Sequence, residues 1–269
     1  MLVADNLQIL RLDIQEAAVR QDPTPIARLV RQMEKAGAEA VDLNAGPCQR
    51  NPEQEMTFLV RSAEAATRLP LFIDTANPRA MAAGVRAAGR PPILNGFSLE
   101  PRKLRKILPL AADYGLDIVG YLLDGDGLVP PDAQGRLSAG LALFEAAAAK
   151  GLSPERIIVD PVVPPLSWQD GIKQQREVLE VLRLLPDVLG RPVRTVAGLS
   201  NLTAGAPSGA PRQVVESAFL AMMASAGLSM ALLNVFHNRT MASARACRAL
   251  TSDTPFSWAA LGPPQRPTI

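Results

Sequence analysis

The chain has 269 residues, of which 48% are hydrophobic, enough for the full core of one large domain. Its 28 Lys and Arg nearly balance 26 Asp and Glu, and a formal net charge of +2 excludes the strong basic field of a nucleic-acid or anionic-membrane binder. Two cysteines, no export-signal succession at the N-terminus, and no apolar run near the roughly 20 residues that span a bilayer predict a soluble, cytoplasmic protein without disulfides.

In chain order, a short strand near Leu2 to Ala4 comes first. At Asp22-Pro23-Thr24-Pro25, Thr24 is placed to cap a helix that Pro25 opens, with Ile26, Leu29, Val30, Met33 and Ala36 on its inner face and Gly37 at its end. A strand over 40–44 follows, then a helix from about Glu53 with Met56, Leu59, Val60 and Ala63 inward. Next come a strand over 71–74, a helix over 78–88 and a strand over 93–95. The helix carrying Leu104, Ile107, Leu108 and Ala111 should kink at Pro109 and close at Gly115. Strands are expected at 117–122, 156–160, 193–197 and 229–234. Helices are expected at 137–150, 172–185 and 211–226, the last with Val214, Val215, Ala218, Phe219 and Met222 inward, and a closing helix starts near Arg239.

Eight strands alternating with helices predict an α/β fold, a single (β/α)8 TIM barrel over about residues 1–250 with a tail over 251–269. In the tail only Phe256 to Leu261 can pack, and disorder is expected beyond Gly262. A doubly wound open sheet is the competing architecture, but its Gly-rich nucleotide fingerprint is absent after the first strand.

Barrels of this kind place their chemistry at the carboxyl ends of the strands. Here those ends carry Asn44, Asp74, Asn95, Asp160, Ser200 with Asn201, and Asn234. Carboxylates accept paired N–H bonds and Asn both donates and accepts, so the set suits a flat heterocycle with an amide-like and amino edge. Any one of these residues alone reads better as a turn former. The whole group on one rim does not.

Other chemistries fit less well. His237 is the only histidine, which argues against a His-based metal site or a hydrolase triad. Asp124-Gly125-Asp126-Gly127 lacks the later ligands of a calcium loop and reads as a surface turn. Cys48 follows a strand and reads as a small buried residue.

The motifs Val41-Asp42-Leu43-Asn44-Ala45-Gly46-Pro47, Phe72-Ile73-Asp74-Thr75-Ala76-Asn77, Leu94-Asn95, Val159-Asp160-Pro161 and Gly198-Leu199-Ser200-Asn201 together resemble the pterin-binding methyltransferases. Within them the chain is similar to the methyltetrahydrofolate:corrinoid/iron-sulfur protein methyltransferases, over roughly residues 10 to 250. The resemblance implies that 5-methyltetrahydrofolate is the substrate, held by Asp74, Asn95 and Asp160 together with Asn44, Gly198 and Ser200. Catalytic Asn201 would reach the nitrogen that bears the methyl group. It also implies a methyl acceptor in the Co(I) corrinoid (cobalamin) of a separate partner protein, and a homodimer.

The sequence departs from that pattern in three places. The first strand, Leu2 to Leu7, lacks the Gly-Glu-Arg/Asn-Ile-Asn type of segment, the run from Thr203 to Pro211 is longer and less polar, and Glu216 stands where relatives often have Asn. A dihydropteroate synthase would carry a Ser-Arg-Lys type motif and an Arg-x-His motif, where this chain has Leu199-Ser200-Asn201 and Asn234-Val235-Phe236-His237. A non-catalytic pterin-binding subunit is the third reading.

Overall fold

The structure, a computed structural model, describes residues 1–9, 11–46 and 51–262. Eight parallel strands close into a barrel in sequence order, β1 to β8. They are β1 (Leu2–Gln8), β2 (Ala40–Asn44), β3 (Leu71–Asp74), β4 (Ile93–Phe97), β5 (Ile118–Tyr121), β6 (Ile157–Asp160), β7 (Arg194–Gly198) and β8 (Met230–Leu233). Around them run α1 (Leu12–Arg20), α2 (Thr24–Ala36), α3 (Pro52–Glu64), α4 (Pro78–Ala87), α5 (Pro101–Lys106) and α6 (Leu108–Tyr114). The circuit is completed by α7 (Ala133–Ala148), α8 (Gly171–Leu189), α9 (Arg212–Ser225) and α10 (Asn238–Thr251).

Several details differ from the sequence reading. The first strand is longer than expected and is followed by α1, a helix whose Leu12 and Val19 stay exposed, so its weak periodicity hid it. Thr24 is already helical and the N-cap of α2 is Pro23, which has no capping side chain; Asp22, one residue earlier, accepts from the Thr24 N–H at 2.9 Å through Oδ1. The inner face of α9 is Glu216, Ser217, Phe219, Leu220 and Met223, which leaves Val214, Ala218 and Met222 outward. Two polar residues on that inner face disguised it. Finally, α8 runs to Leu189, with Pro186 accommodated inside the helix.

The helix expected over 137–150 begins four residues earlier, at Ala133, and the strand expected over 93–95 runs on to Phe97. Pro109 sits at the break between α5 and α6, and Asp124 forms a surface turn by accepting from the N–H groups of Asp126 and Leu128. In the tail a short turn at Trp258–Leu261 is tied down by Arg245 Nε, which donates to the Leu261 carbonyl at 3.2 Å. Cys48 and the residues beyond Gly262 lie outside the described residues. No helix among those described is long and apolar enough to cross a membrane.

The large outer core lies between strands and helices, and a smaller one fills the barrel. Val3, Ala40, Phe72, Val119, Ile158, Val196 and Met230 form this inner plug, with Ile93 and Leu232 packed against it. Side chains alternate faces along a strand, so the residue two positions further on also points inward, one layer nearer the carboxyl end. Those residues are Asp5, Asp42, Asp74, Asn95, Tyr121, Asp160, Gly198 and Asn234. An apolar plug thus floors a polar mouth.

Candidate active site in the barrel mouth

Parallel register carries the polar layer around the ring. Asn44 pairs with Asp74, Asp74 with Asn95, and Tyr121 with Asp160. Asp74, Asn95 and Asp160 therefore share one rim, as the sequence reading expects. β7 lies four strands from β3 in the closed ring, so Gly198 faces Asp74 from the far wall. A Cβ built on Gly198 would meet Asn201 Nδ2 at 2.9 Å, so the exposed Asn201 amide rests directly over this glycine.

The side chains are held by one another. Asn44 Nδ2 donates to Asp74 Oδ2 at 2.6 Å, and its Oδ1 accepts from the Gly46 N–H at 2.8 Å. Asn44 thus orients Asp74 and turns the chain. Buried Asn95 donates to Asp42 Oδ1 at 3.1 Å and accepts from the Tyr121 hydroxyl at 2.8 Å, which fixes which way its amide faces. The Val162 N–H donates to Asp160 Oδ1 at 2.8 Å. Val162 adopts a φ of 61°, a left-handed conformation that a β-branched residue takes only at a cost.

That cost is offset by Arg136. Its fully buried guanidinium donates to the carbonyls of Pro130, Pro161 and Val162 and to Gln174 Oε1, at 2.7 to 2.9 Å. Four acceptors on one fork make the loop after β6 a rigid support for Asp160.

The mouth is acidic, and burial sets its protonation. Desolvation pushes Asp160 up to about 7, against the opposing Val162 N–H and the Arg136 charge. Asp74 rises to about 6 for the same reason, opposed by Asn44 and Lys103. Asp42 is raised well above the carboxylate range by burial and by the nearby Asp74, and Asp5 is raised by burial. Asp74 and Asp160 each have one carboxylate oxygen engaged by the protein, Oδ2 by Asn44 and Oδ1 by the Val162 N–H, and a buried carboxylate has further acceptor capacity for N–H donors.

The sequence reading missed Asp5, Asp42, Tyr121 and Arg136. For the first three a signal existed: each lies two residues past an inward apolar residue on its own strand, as Asp42 does after Ala40. Arg136 gave none, since an arginine near a helix start ordinarily faces solvent. Among the described residues, no group of three or more His, Cys, Asp or Glu is arranged to hold a metal ion.

Comparison with known proteins agrees with this geometry. The pterin binding enzyme model matches residues 14–234. The chain belongs to the pterin binding enzyme family. A methylcorrinoid:tetrahydrofolate methyltransferase from Eubacterium limosum is 26% identical over 211 residues, covering 77% of this chain and 74% of that protein. Methionine synthase from Mycobacterium tuberculosis is 24% identical over 81% of this chain, which spans only 19% of that longer enzyme. Among solved structures, dihydropteroate synthase from Stenotrophomonas maltophilia superposes with a TM-score of 0.67 at 19% identity, covering 87% of this chain and 89% of that one. At that identity the likeness speaks for the barrel alone.

Proposed function

We propose that this pterin binding enzyme transfers the methyl group between 5-methyltetrahydrofolate and the cobalt of a corrinoid carried by a separate protein. The observation that carries the reading is the convergence of Asp74, Asn95 and Asp160 on one rim, with the Asn201 amide across the mouth. The name of the Eubacterium limosum relative supports it.

Asp160 and Asp74 accept N–H bonds from the pterin, while Asn95, locked by Asp42 and Tyr121, presents a fixed amide to the same ring. Asn201 donates toward the nitrogen that carries the methyl group. A tertiary amine leaves poorly, so a donor that binds this nitrogen more strongly as the methyl departs lowers the barrier. The corrinoid, when bound, supplies the nucleophile, and the chain needs none of its own. A pyrophosphate substrate fits the mouth poorly, because Arg11 is paired to Asp13 and Arg212 to the Ala206 carbonyl beside acidic Asp5 and Glu216.

Titration with 5-methyltetrahydrofolate tests the reading. Wild type should bind it, Asp160→Asn should weaken binding at least tenfold, and Asn201→Ala should keep binding within a few-fold while slowing methyl transfer. Unchanged binding in Asp160→Asn would overturn the assignment of the mouth.

A further inference from the structure

A second polar cluster flanks the Asn201 side of the mouth. It lines a cavity of about 330 Å³ walled by residues that include Asp5, Ser200, Glu216, Asn234 and His237. Asp5 points inward from β1 and shares the cavity wall with Ser200, the immediate neighbour of Asn201. On the outer side, Thr203 Oγ1 donates to Glu216 Oε1 at 2.8 Å, and His237 Nδ1 lies 3.1 Å from Glu216 Oε2. His237 Nε2 is 3.1 Å from Asn234 Nδ2, and Asn234 Oδ1 accepts from Asn6 Nδ2 at 2.7 Å. Because Asn234 Nδ2 can only donate, Nε2 accepts, and the ring proton sits on Nδ1 facing Glu216.

These residues come largely from the segments where the sequence departs from its family: the first strand, the region after Asn201, and Glu216. The departing amine needs a proton, and an Asn amide cannot give one up at neutral pH. Asp74 and Asp160 accept pterin N–H bonds, and Asp42 is fully enclosed under Asn95. Asp5 remains.

Building on the methyltransferase reading, we propose that Asp5 supplies the proton to the methyl-bearing nitrogen by way of the Ser200 hydroxyl or cavity water, and that the Glu216–His237 pair restores it from solvent. The Asp5 O–H bond breaks and the proton joins the nitrogen lone pair. The N–CH3 bond then breaks with its electron pair staying on nitrogen, and the methyl passes to the reduced corrinoid nucleophile. Nitrogen ends neutral with an N–H, and the Asp5 carboxylate is reprotonated through the cavity. Burial helps by raising Asp5 above the usual carboxylate range, so that it holds its proton longer. The groups facing it are Asp42 from β2, Glu216 from α9 and His237 from the turn before α10, with Arg11 and Arg212 at the cavity edge.

The test is single-turnover and steady-state methyl transfer from 5-methyltetrahydrofolate to a Co(I) corrinoid across a pH series, with the folate Kd measured alongside. Asp5→Asn should lower the single-turnover rate about a hundredfold and remove the decline in rate on the alkaline side, with Kd within about twofold. Asp5→Glu should recover most of the rate. His237→Gln should keep the single-turnover rate and slow steady turnover about tenfold. Wild-type rates and pH profile in Asp5→Asn, or a loss of folate binding there, would overturn the Asp5 assignment while leaving the function standing. An undiminished steady rate in His237→Gln would overturn the feeding role. A wild-type protein that binds folate but transfers no methyl sinks both proposals.

Discussion

Arg136→Met separates what holds the mouth together from what faces the ligand. The substitution keeps only the unbranched apolar stem of the buried side chain and removes every donor, leaving four acceptors in the interior: the carbonyls of Pro130, Pro161 and Val162, and Gln174 Oε1. At about 1 kcal/mol for each unsatisfied buried acceptor, the low end of the usual range, the loss is about 4 kcal/mol. A urea titration followed by circular dichroism should therefore show the midpoint falling by about 1 M or more, given a slope near 3 kcal/mol per molar. Removing the positive charge should also carry Asp160 above about 7 and weaken folate binding at neutral pH. Arg136→Lys keeps the charge but not the fork, so it should lose stability with a smaller effect on affinity. A midpoint within about 0.3 M of wild type for Arg136→Met would refute the idea that this guanidinium braces the loop.

The remaining predictions concern the ligand face. Asp160 and Asp74 are raised in the folded protein, to about 7 and about 6, from an ordinary value of 3.8. The ligand-free fold therefore binds more protons than the unfolded chain between about pH 4 and 7, and its stability should fall as pH rises through that window. Thermal melts from pH 4 to 8 check the sign. Folate binding needs these acids ionised, so affinity should fall by up to tenfold per unit as pH drops from about 7 to 6, and more steeply below about 6 where both acids protonate, as read by calorimetry. In Gly198→Ala the new methyl displaces the Asn201 amide, so the transfer rate should fall at least about tenfold with the fold intact by circular dichroism. Tyr121→Phe removes the donor to Asn95 and should weaken folate binding by about five- to tenfold, the equivalent of about 1 kcal/mol.

Much of this architecture was legible in the sequence, because strand and helix periods are local signals. The barrel, its strand order and the rim residues Asp74, Asn95 and Asp160 follow from alternation and from what ends each strand. What stayed hidden depends on pairing between distant segments. Asn44 reads as a ligand residue, yet its amide serves Asp74, a contact that only the register of β2 on β3 creates. The inner face of α9 carries Glu216 and Ser217, so an apolar count chose the wrong stripe, and the burial of Glu216 makes sense only beside Thr203 and His237. Arg136 is the extreme case, since its partners lie on three other segments of the chain.

The most direct measurement is an anaerobic reaction of the purified protein with 5-methyltetrahydrofolate and a Co(I) corrinoid, followed by cobalt absorbance. Conversion to the methylated corrinoid is expected, at a rate that depends on enzyme concentration and on an intact Asn201. Tight folate binding with no change in the cobalt spectrum would contradict it.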